Sequence, residues 1–212
     1  MLIKVCGITS VEQLNELQLL GVDYAGLIFY PHSPRYVGKH KMQASETKAQ
    51  QISIRKIGVF VNEQEGDLLR LVADWGLEMV QLHGEETPAY CERISKQVKV
   101  IKAFRVGTID DIELRVSPYR DVVDYFLFDT MGEKYGGTGK QFDWKLVSNK
   151  ALGKPYFLSG GIGAELGKEL HELASIQKDL YAVDVNSKFE VSPGIKNMGL
   201  IRKFVDSLKN NS

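Results

Sequence analysis

The chain has 212 residues, with 27 basic and 27 acidic side chains and a formal net charge of zero. That balance argues against a broad nucleic-acid footprint, which needs a clear basic excess. Apolar residues make up 43% and charged residues 25%, a globular composition, and two cysteines exclude a disulfide scaffold.

Eight short β-rich runs follow one another. The first is Leu2–Val5, ending at Cys6-Gly7. Thr9 or Ser10 is placed to cap the helix after it, with Leu14, Leu17, Leu19 and Leu20 as its apolar positions and Gly21 as its stop. Tyr24–Phe29 leads through a polar loop to a helix near Gln43–Ser53. Lys56–Val61 precedes a helix carrying Leu68, Leu69, Leu71 and Val72 at helical spacing. Met79–Leu82 ends at His83-Gly84, and Thr87-Pro88 is a cap followed by proline at the first helical position. Val98–Phe104, Tyr125–Phe128, Tyr156–Leu158 and Tyr181–Val185 are the remaining runs, with a last helix over Gly199–Leu208.

Strands alternating with helices imply parallel pairing through crossovers. The runs are nearly continuous in apolar residues, as for strands covered on both faces. Eight units of about 26 residues fit an α/β chain folded as a (β/α)₈ TIM barrel, although an open doubly wound sheet shares the alternation. No Pro/Gly/Ser-rich linker divides the chain, so residues 1–212 are expected to form one domain.

In such barrels the active site lies at the C-terminal ends of the strands. That rule selects Cys6, the loop after Phe29, His83, Arg105, Asp129, Gly160-Gly161 and Asp184–Ser187. Ser159-Gly160-Gly161-Ile162-Gly163 follows the seventh strand and opens a helix, which suits phosphate; the same glycines also serve a tight turn. It has neither the P-loop ending nor the dinucleotide spacing. Gly136, Gly137, Thr138 and Gly139 suit a mobile lid or a plain surface loop. Cys6 is placed before a helix N-terminus that would favour its thiolate, though a lone cysteine also serves as a small buried hydrophobe. Asp129 ends an apolar strand that would favour its acid form, or it caps a helix or pairs with a cation. A thiolate base and a carboxylic acid across a barrel mouth suit proton transfer. Two prolines stiffen the loop carrying Arg35, a fork for a carboxylate or a solvated surface arginine. Cys91 sits in an amphipathic stretch and is expected to pack. The four histidines show no metal-ligand spacing, and there is no Gly-x-Ser-x-Gly elbow.

Met1–Gly7 lacks the parts of a signal peptide, and no window approaches ~18 consecutive apolar residues. A cytoplasmic protein with no membrane or nucleic-acid partner is expected.

Taken together, Lys4-Val5-Cys6-Gly7-Ile8-Thr9, Ser33-Pro34-Arg35-Tyr36-Val37, Gln81-Leu82-His83-Gly84, Phe128-Asp129-Thr130, Gly136-Gly137-Thr138-Gly139 with Phe142-Asp143-Trp144, Leu158-Ser159-Gly160-Gly161, Val183-Asp184-Val185-Asn186-Ser187 and Pro193-Gly194-Ile195-Lys196 resemble the phosphoribosylanthranilate isomerase family of tryptophan biosynthesis. Each segment is weak alone; their order at successive strand ends makes the combination specific. The resemblance implies a (β/α)₈ barrel performing an Amadori rearrangement of N-(5-phosphoribosyl)anthranilate without metal or organic cofactor. It implies Cys6 as general base, Asp129 as general acid and Arg35 on the anthranilate carboxylate. It also implies Gly160, Gly161 and Ser187 at the phosphate, with Asp184 near a ribose hydroxyl. A monomer or homodimer acting on a small phosphosugar is expected.

Two departures stand out. Lys188-Phe189 follows Asn186-Ser187 where the family usually has glycine, and Asn197 stands where aspartate is common. The Cys6/Asp129 pair and Arg35 argue against another phosphosugar isomerase or epimerase barrel, and an epimerase would favour metal-binding histidines at the strand ends. A non-catalytic phosphosugar-binding barrel would not need Cys6 and Asp129.

Overall fold

The computed structural model describes residues 1–49, 52–107, 111–130 and 152–209. Its centre is a closed barrel of eight parallel strands, each paired with its neighbours in chain order and the last with the first. The strands are β1 (Leu2–Cys6), β2 (Tyr24–Ile28), β3 (Arg55–Phe60), β4 (Met79–Leu82), β5 (Lys99–Val106), β6 (Tyr125–Thr130), β7 (Tyr156–Ser159) and β8 (Leu180–Val185). The open doubly wound alternative is thereby set aside.

Period-two alternation divides the strand residues between two apolar bodies. Tyr24, Ile57, Met79, Ile101, Leu127, Phe157 and Ala182 fill the barrel interior. Their alternates, among them Val5, Ala25, Val80, Val100, Phe126, Phe128 and Val183, pack against the surrounding helices. Fully burying one such large side chain contributes ~1.5–3 kcal/mol before the cost of ordering it. Cys91 belongs to the outer body and is fully buried, as its amphipathic setting suggests.

The described helices are α1 (Val11–Leu19), α2 (Ala44–Ala49), α3 (Glu65–Trp75), α4 (Pro88–Ser95), α5 (Ile112–Val116), α6 (Gly167–Ile176) and α7 (Met198–Lys209). Of the two candidates for the first cap it is Ser10 that serves, its Oγ accepting from Gln13 N at 3.3 Å. Thr87 caps α4 in the same way, with Pro88 at the first helical position. Ser53 does not continue α2; its N–H donates to Gln18 Oε1 at 2.8 Å, so that helix stops short of the expected end.

Two strand ends run further than the apolar runs imply. Arg105 lies within β5 and Asp129 within β6, paired in register with each other. A short antiparallel hairpin, β9 (Glu190–Ser192) and β10 (Ile195–Lys196), follows β8. Sequence periodicity does not reveal it because its strands are only two and three residues long. Thr9 Oγ1 donates to Gly194 O at 2.6 Å and Gln13 Oε1 accepts from Lys196 N at 3.1 Å, which docks the hairpin on the loop and helix after β1. The expected lid, Gly136 to Gly139, and the expected helix start near Phe142-Asp143-Trp144 lie outside the described residues.

Candidate active site

Inside the barrel the apolar filling gives way to polar side chains toward the C-terminal ends of the strands. Lys4 and Cys6 are two apart on β1 and share its inner face. Lys4 is fully buried, its Nζ 2.6 Å from Gln81 Oε1 and 3.0 Å from Asp184 Oδ2. Burial alone would lower the Lys4 ammonium, but Asp184 and Cys6 outweigh that and hold it above its usual value. Gln81 and Lys4 are functional candidates that the sequence hides within apolar runs. Their signal is a polar residue two positions before a strand-end candidate, Lys4 before Cys6 and Gln81 before His83.

Cys6 is buried at the end of β1. Its strand neighbour is Gly26, where an added Cβ would stand 2.8 Å from Cys6 Sγ. The next residue, Gly7, has φ +78°, and a Cβ there would meet Arg35 Cδ at 2.7 Å and Asn186 Oδ1 at 2.9 Å. Glycine is therefore needed twice, once for backbone handedness and once for close approach. The helix expected directly behind the thiol starts further on, α1 beginning only at Val11. Burial pushes Cys6 up instead, opposed by the Lys4 ammonium, reinforced by Asp184 and opposed again by Lys196.

Asp129 lies on the inner face of β6, 30% exposed, with Oδ2 3.6 Å from His83 Nε2. The apolar surroundings expected for it are incomplete, since His83 and the strand partner Arg105 flank it. Gln81 Nε2 lies 2.9 Å from His83 Nδ1. Burial, then Arg105, Lys4 and Lys102, pull His83 down to about 4, with Glu86 acting against them. A continuous polar path thus runs from Asp129 through His83, Gln81 and Lys4 to Asp184 and Cys6.

Asp184, on β8, accepts from Lys4 and from Ser159 Oγ, the latter at 3.3 Å, both through Oδ2. Its Oδ1 is buried and has no hydrogen-bond partner among the described residues. A buried acceptor of this kind is costly to leave without a donor.

Arg35 is not a free surface arginine. Its Nε and Nη2 donate to the two oxygens of Glu190 at 2.8 and 2.6 Å, a bidentate pair. Lys196 Nζ reaches the same Glu190 carboxylate at 2.8 Å and Asn186 Oδ1 at 2.8 Å. Burial would raise Glu190, but the hydrogen bonds from Arg35 and Lys196 reverse this and hold it down to about 2. Burial lowers the Lys196 ammonium, which Glu190 partly restores. With one edge committed to Glu190, the guanidinium retains its Nη1/Nη2 end for a second anion. Glu190 is a further site residue that sequence reasoning missed; it lies 155 positions from Arg35.

Gly160 and Gly161 follow β7 with φ +93° and +63°, a pair of left-handed residues that turns the chain out of the barrel. The helix expected to open there is delayed: a single 3₁₀ turn, Ala164–Leu166, precedes α6. Ser187 begins another 3₁₀ turn just after β8, the strand paired with β7. The three residues therefore sit on adjoining loops at the rim. Of the unusual pair after it, Lys188 is exposed and Phe189 is buried against Phe204, with ring centroids 5.1 Å apart. Asn197 Oδ1 accepts from Leu200 N at 3.1 Å and so caps α7, a role asparagine fills as well as aspartate.

The family model described as N-(5′-phosphoribosyl)anthranilate (PRA) isomerase matches residues 3–207. An N-(5′-phosphoribosyl)anthranilate isomerase of Parabacteroides distasonis is 35% identical over 209 residues, 98% of this chain and 93% of the relative. One of Syntrophomonas wolfei is 39% identical over 208 residues, 96% and 95% of the two chains. Among solved structures, phosphoribosyl anthranilate isomerase from Thermotoga maritima superposes with a TM-score of 0.85 at 33% identity, covering 99% of each chain. A phosphoribosyl anthranilate isomerase in complex with reduced 1-(o-carboxyphenylamino)-1-deoxyribulose 5-phosphate gives 0.81 at 31% identity, covering 99% of this chain and 100% of that one. With the match running from the first strand to the last helix, this chain belongs to the N-(5′-phosphoribosyl)anthranilate isomerase family.

Proposed function

We propose that this enzyme converts N-(5′-phosphoribosyl)anthranilate to 1-(o-carboxyphenylamino)-1-deoxyribulose 5-phosphate, with Cys6 as general base and Asp129 as general acid. The observation that carries this is the placement of both side chains at the inner face of one barrel mouth, on β1 and β6, in a chain of this family. Asp129 gives its proton to the furanose ring oxygen as the C1′–O bond breaks, leaving a protonated Schiff base. The Cys6 thiolate removes the proton at C2′. The released electron pair forms the C1′–C2′ double bond and neutralises the nitrogen. The resulting enolamine ketonises by gaining a proton at C1′ and losing one from O2′. Atoms and charge balance across these steps with side chains alone, so they call for no metal or organic cofactor.

The remaining roles follow the same placement. The free end of the Arg35 guanidinium holds the anthranilate carboxylate end-on while Glu190 fixes its other edge. Gly160, Gly161 and Ser187 hold the phosphate through backbone and hydroxyl donors on adjoining loops. Asp184 Oδ1 accepts a ribose hydroxyl. The chain works as one domain in the cytoplasm, as a monomer or homodimer, on this small phosphosugar alone; among the described residues no helix is long and apolar enough to cross a membrane. The test is fluorescence-monitored turnover of freshly made phosphoribosylanthranilate by the purified protein. Turnover that falls ~100-fold in Asp129→Ala, a general acid–base magnitude, with binding of a reduced product analogue retained, supports the proposal. Binding by folded protein without turnover would show a sugar-phosphate-binding barrel instead.

A further inference from the structure

His83 takes no part in the proton transfers above, yet its surroundings determine which ring nitrogen carries hydrogen. Lys4 is a donor only, and its Nζ stands 2.6 Å from Gln81. The Gln81 atom facing it must be the carbonyl oxygen, because an NH₂ there would set donor against donor. The amide NH₂ is then turned to His83 Nδ1 at 2.9 Å. Nδ1 must accept, so the neutral ring carries its hydrogen on Nε2. That is the atom facing Asp129 Oδ2 at 3.6 Å, a separation that shortens as a catalytic site tightens around substrate. Around the ring, Lys4 on β1 and Lys102 and Arg105 on β5 act together with burial to keep it neutral, against the pull of Glu86 in the loop after β4.

We infer that His83 is a positioning residue for the general acid, its tautomer set from Lys4 through Gln81 so that an N–H, not a lone pair, faces Asp129. The inference rests on the assignment of Asp129 above. A lone pair at Nε2 would draw the Asp129 proton into a hydrogen bond with the ring and away from the sugar. An N–H cannot accept that proton. It donates to Oδ2, leaves Oδ1 to carry the proton toward the ring oxygen, and strengthens as the carboxylate becomes charged. No proton passes through His83 in either direction.

Nitrogen-15 NMR of the whole protein reads the tautomer directly, with the His83 signals identified by their loss in His83→Gln. The expected spectrum has hydrogen on Nε2 and a bare Nδ1. In Gln81→Glu the new carboxylate accepts from both Lys4 and the ring, so the neutral tautomer switches to Nδ1–H. At alkaline pH, kcat then falls roughly tenfold to a hundredfold, the scale of one misdirected acid, with KM little changed. Activity recovers as pH falls and the ring becomes an imidazolium with hydrogen on both nitrogens. His83→Gln, whose amide reaches toward the Nε2 position, retains more kcat than His83→Leu. Hydrogen on Nδ1 in the wild type, or unchanged kcat in a Gln81→Glu protein whose ring has switched, overturns the inference. Unchanged turnover in Asp129→Asn would instead defeat the acid assignment on which it rests.

Discussion

Replacing Glu190 with glutamine tests the linkage between the hairpin and Arg35. The Glu190 side chain is 4% exposed and sits between the Arg35 fork and the fully buried Lys196 ammonium. Held at about 2 instead of the ordinary 4.5, its carboxylate contributes about 3 kcal/mol at neutral pH, at ~1.4 kcal/mol per tenfold change in proton affinity. The folded value is depressed, so the contribution is complete above pH 4.5 and is lost as pH falls toward 2. At pH 3 roughly 1 kcal/mol of it remains. Glutamine keeps the shape but loses the charge and turns an NH₂ toward one of the two cations. Equilibrium urea unfolding of wild type and Glu190→Gln should show a gap of about 3 kcal/mol or more at pH 7. Whatever pH-independent part the amide adds, the gap should shrink by about 2 kcal/mol on moving to pH 3. A gap that stays constant between the two pH values would refute the assignment of this carboxylate as the paired, charged centre of the cluster.

Other consequences are as direct. Because burial raises the Cys6 thiol, kcat/KM should climb with pH through a value above 9.0, and Lys4→Met, lacking the opposing ammonium, should move that limb further alkaline. A limb well below the ~8.5 of an ordinary thiol would contradict this. Arg35→Ala should weaken KM strongly for substrate bearing the ring carboxylate and little for an analogue without it; equal loss for both would remove its recognition role. Asn197→Ala should cost ~0.5–2 kcal/mol in unfolding experiments through the lost cap of α7, with turnover by the folded protein unchanged.

The barrel was legible because its strands are short apolar runs separated by capped amphipathic helices, a pattern that few folds share. Cys6, Asp129 and Asp184 were legible for the same reason, as polar residues where those runs end. Lys4 and Gln81 were not, because a lone polar residue inside an apolar run looks the same whether it faces solvent or the barrel axis. Only the closed sheet shows that these two meet each other and Asp184. The Arg35–Glu190 pair was invisible because hairpin docking brings together positions far apart in sequence. The direction of the Cys6 shift is hidden because the sequence places a helix soon after β1 but does not show that four residues and a buried setting separate them.

The proton abstraction at C2′ is tested most directly by single-turnover kinetics, with enzyme in excess over phosphoribosylanthranilate, comparing wild type with Cys6→Ala. Catalysis by Cys6 predicts a wild-type rate that slows when C2′ carries deuterium and a rate at least ~100-fold lower in Cys6→Ala, with reduced product analogue still bound. A folded Cys6→Ala protein that rearranges the substrate at the wild-type rate would show that another group takes the proton.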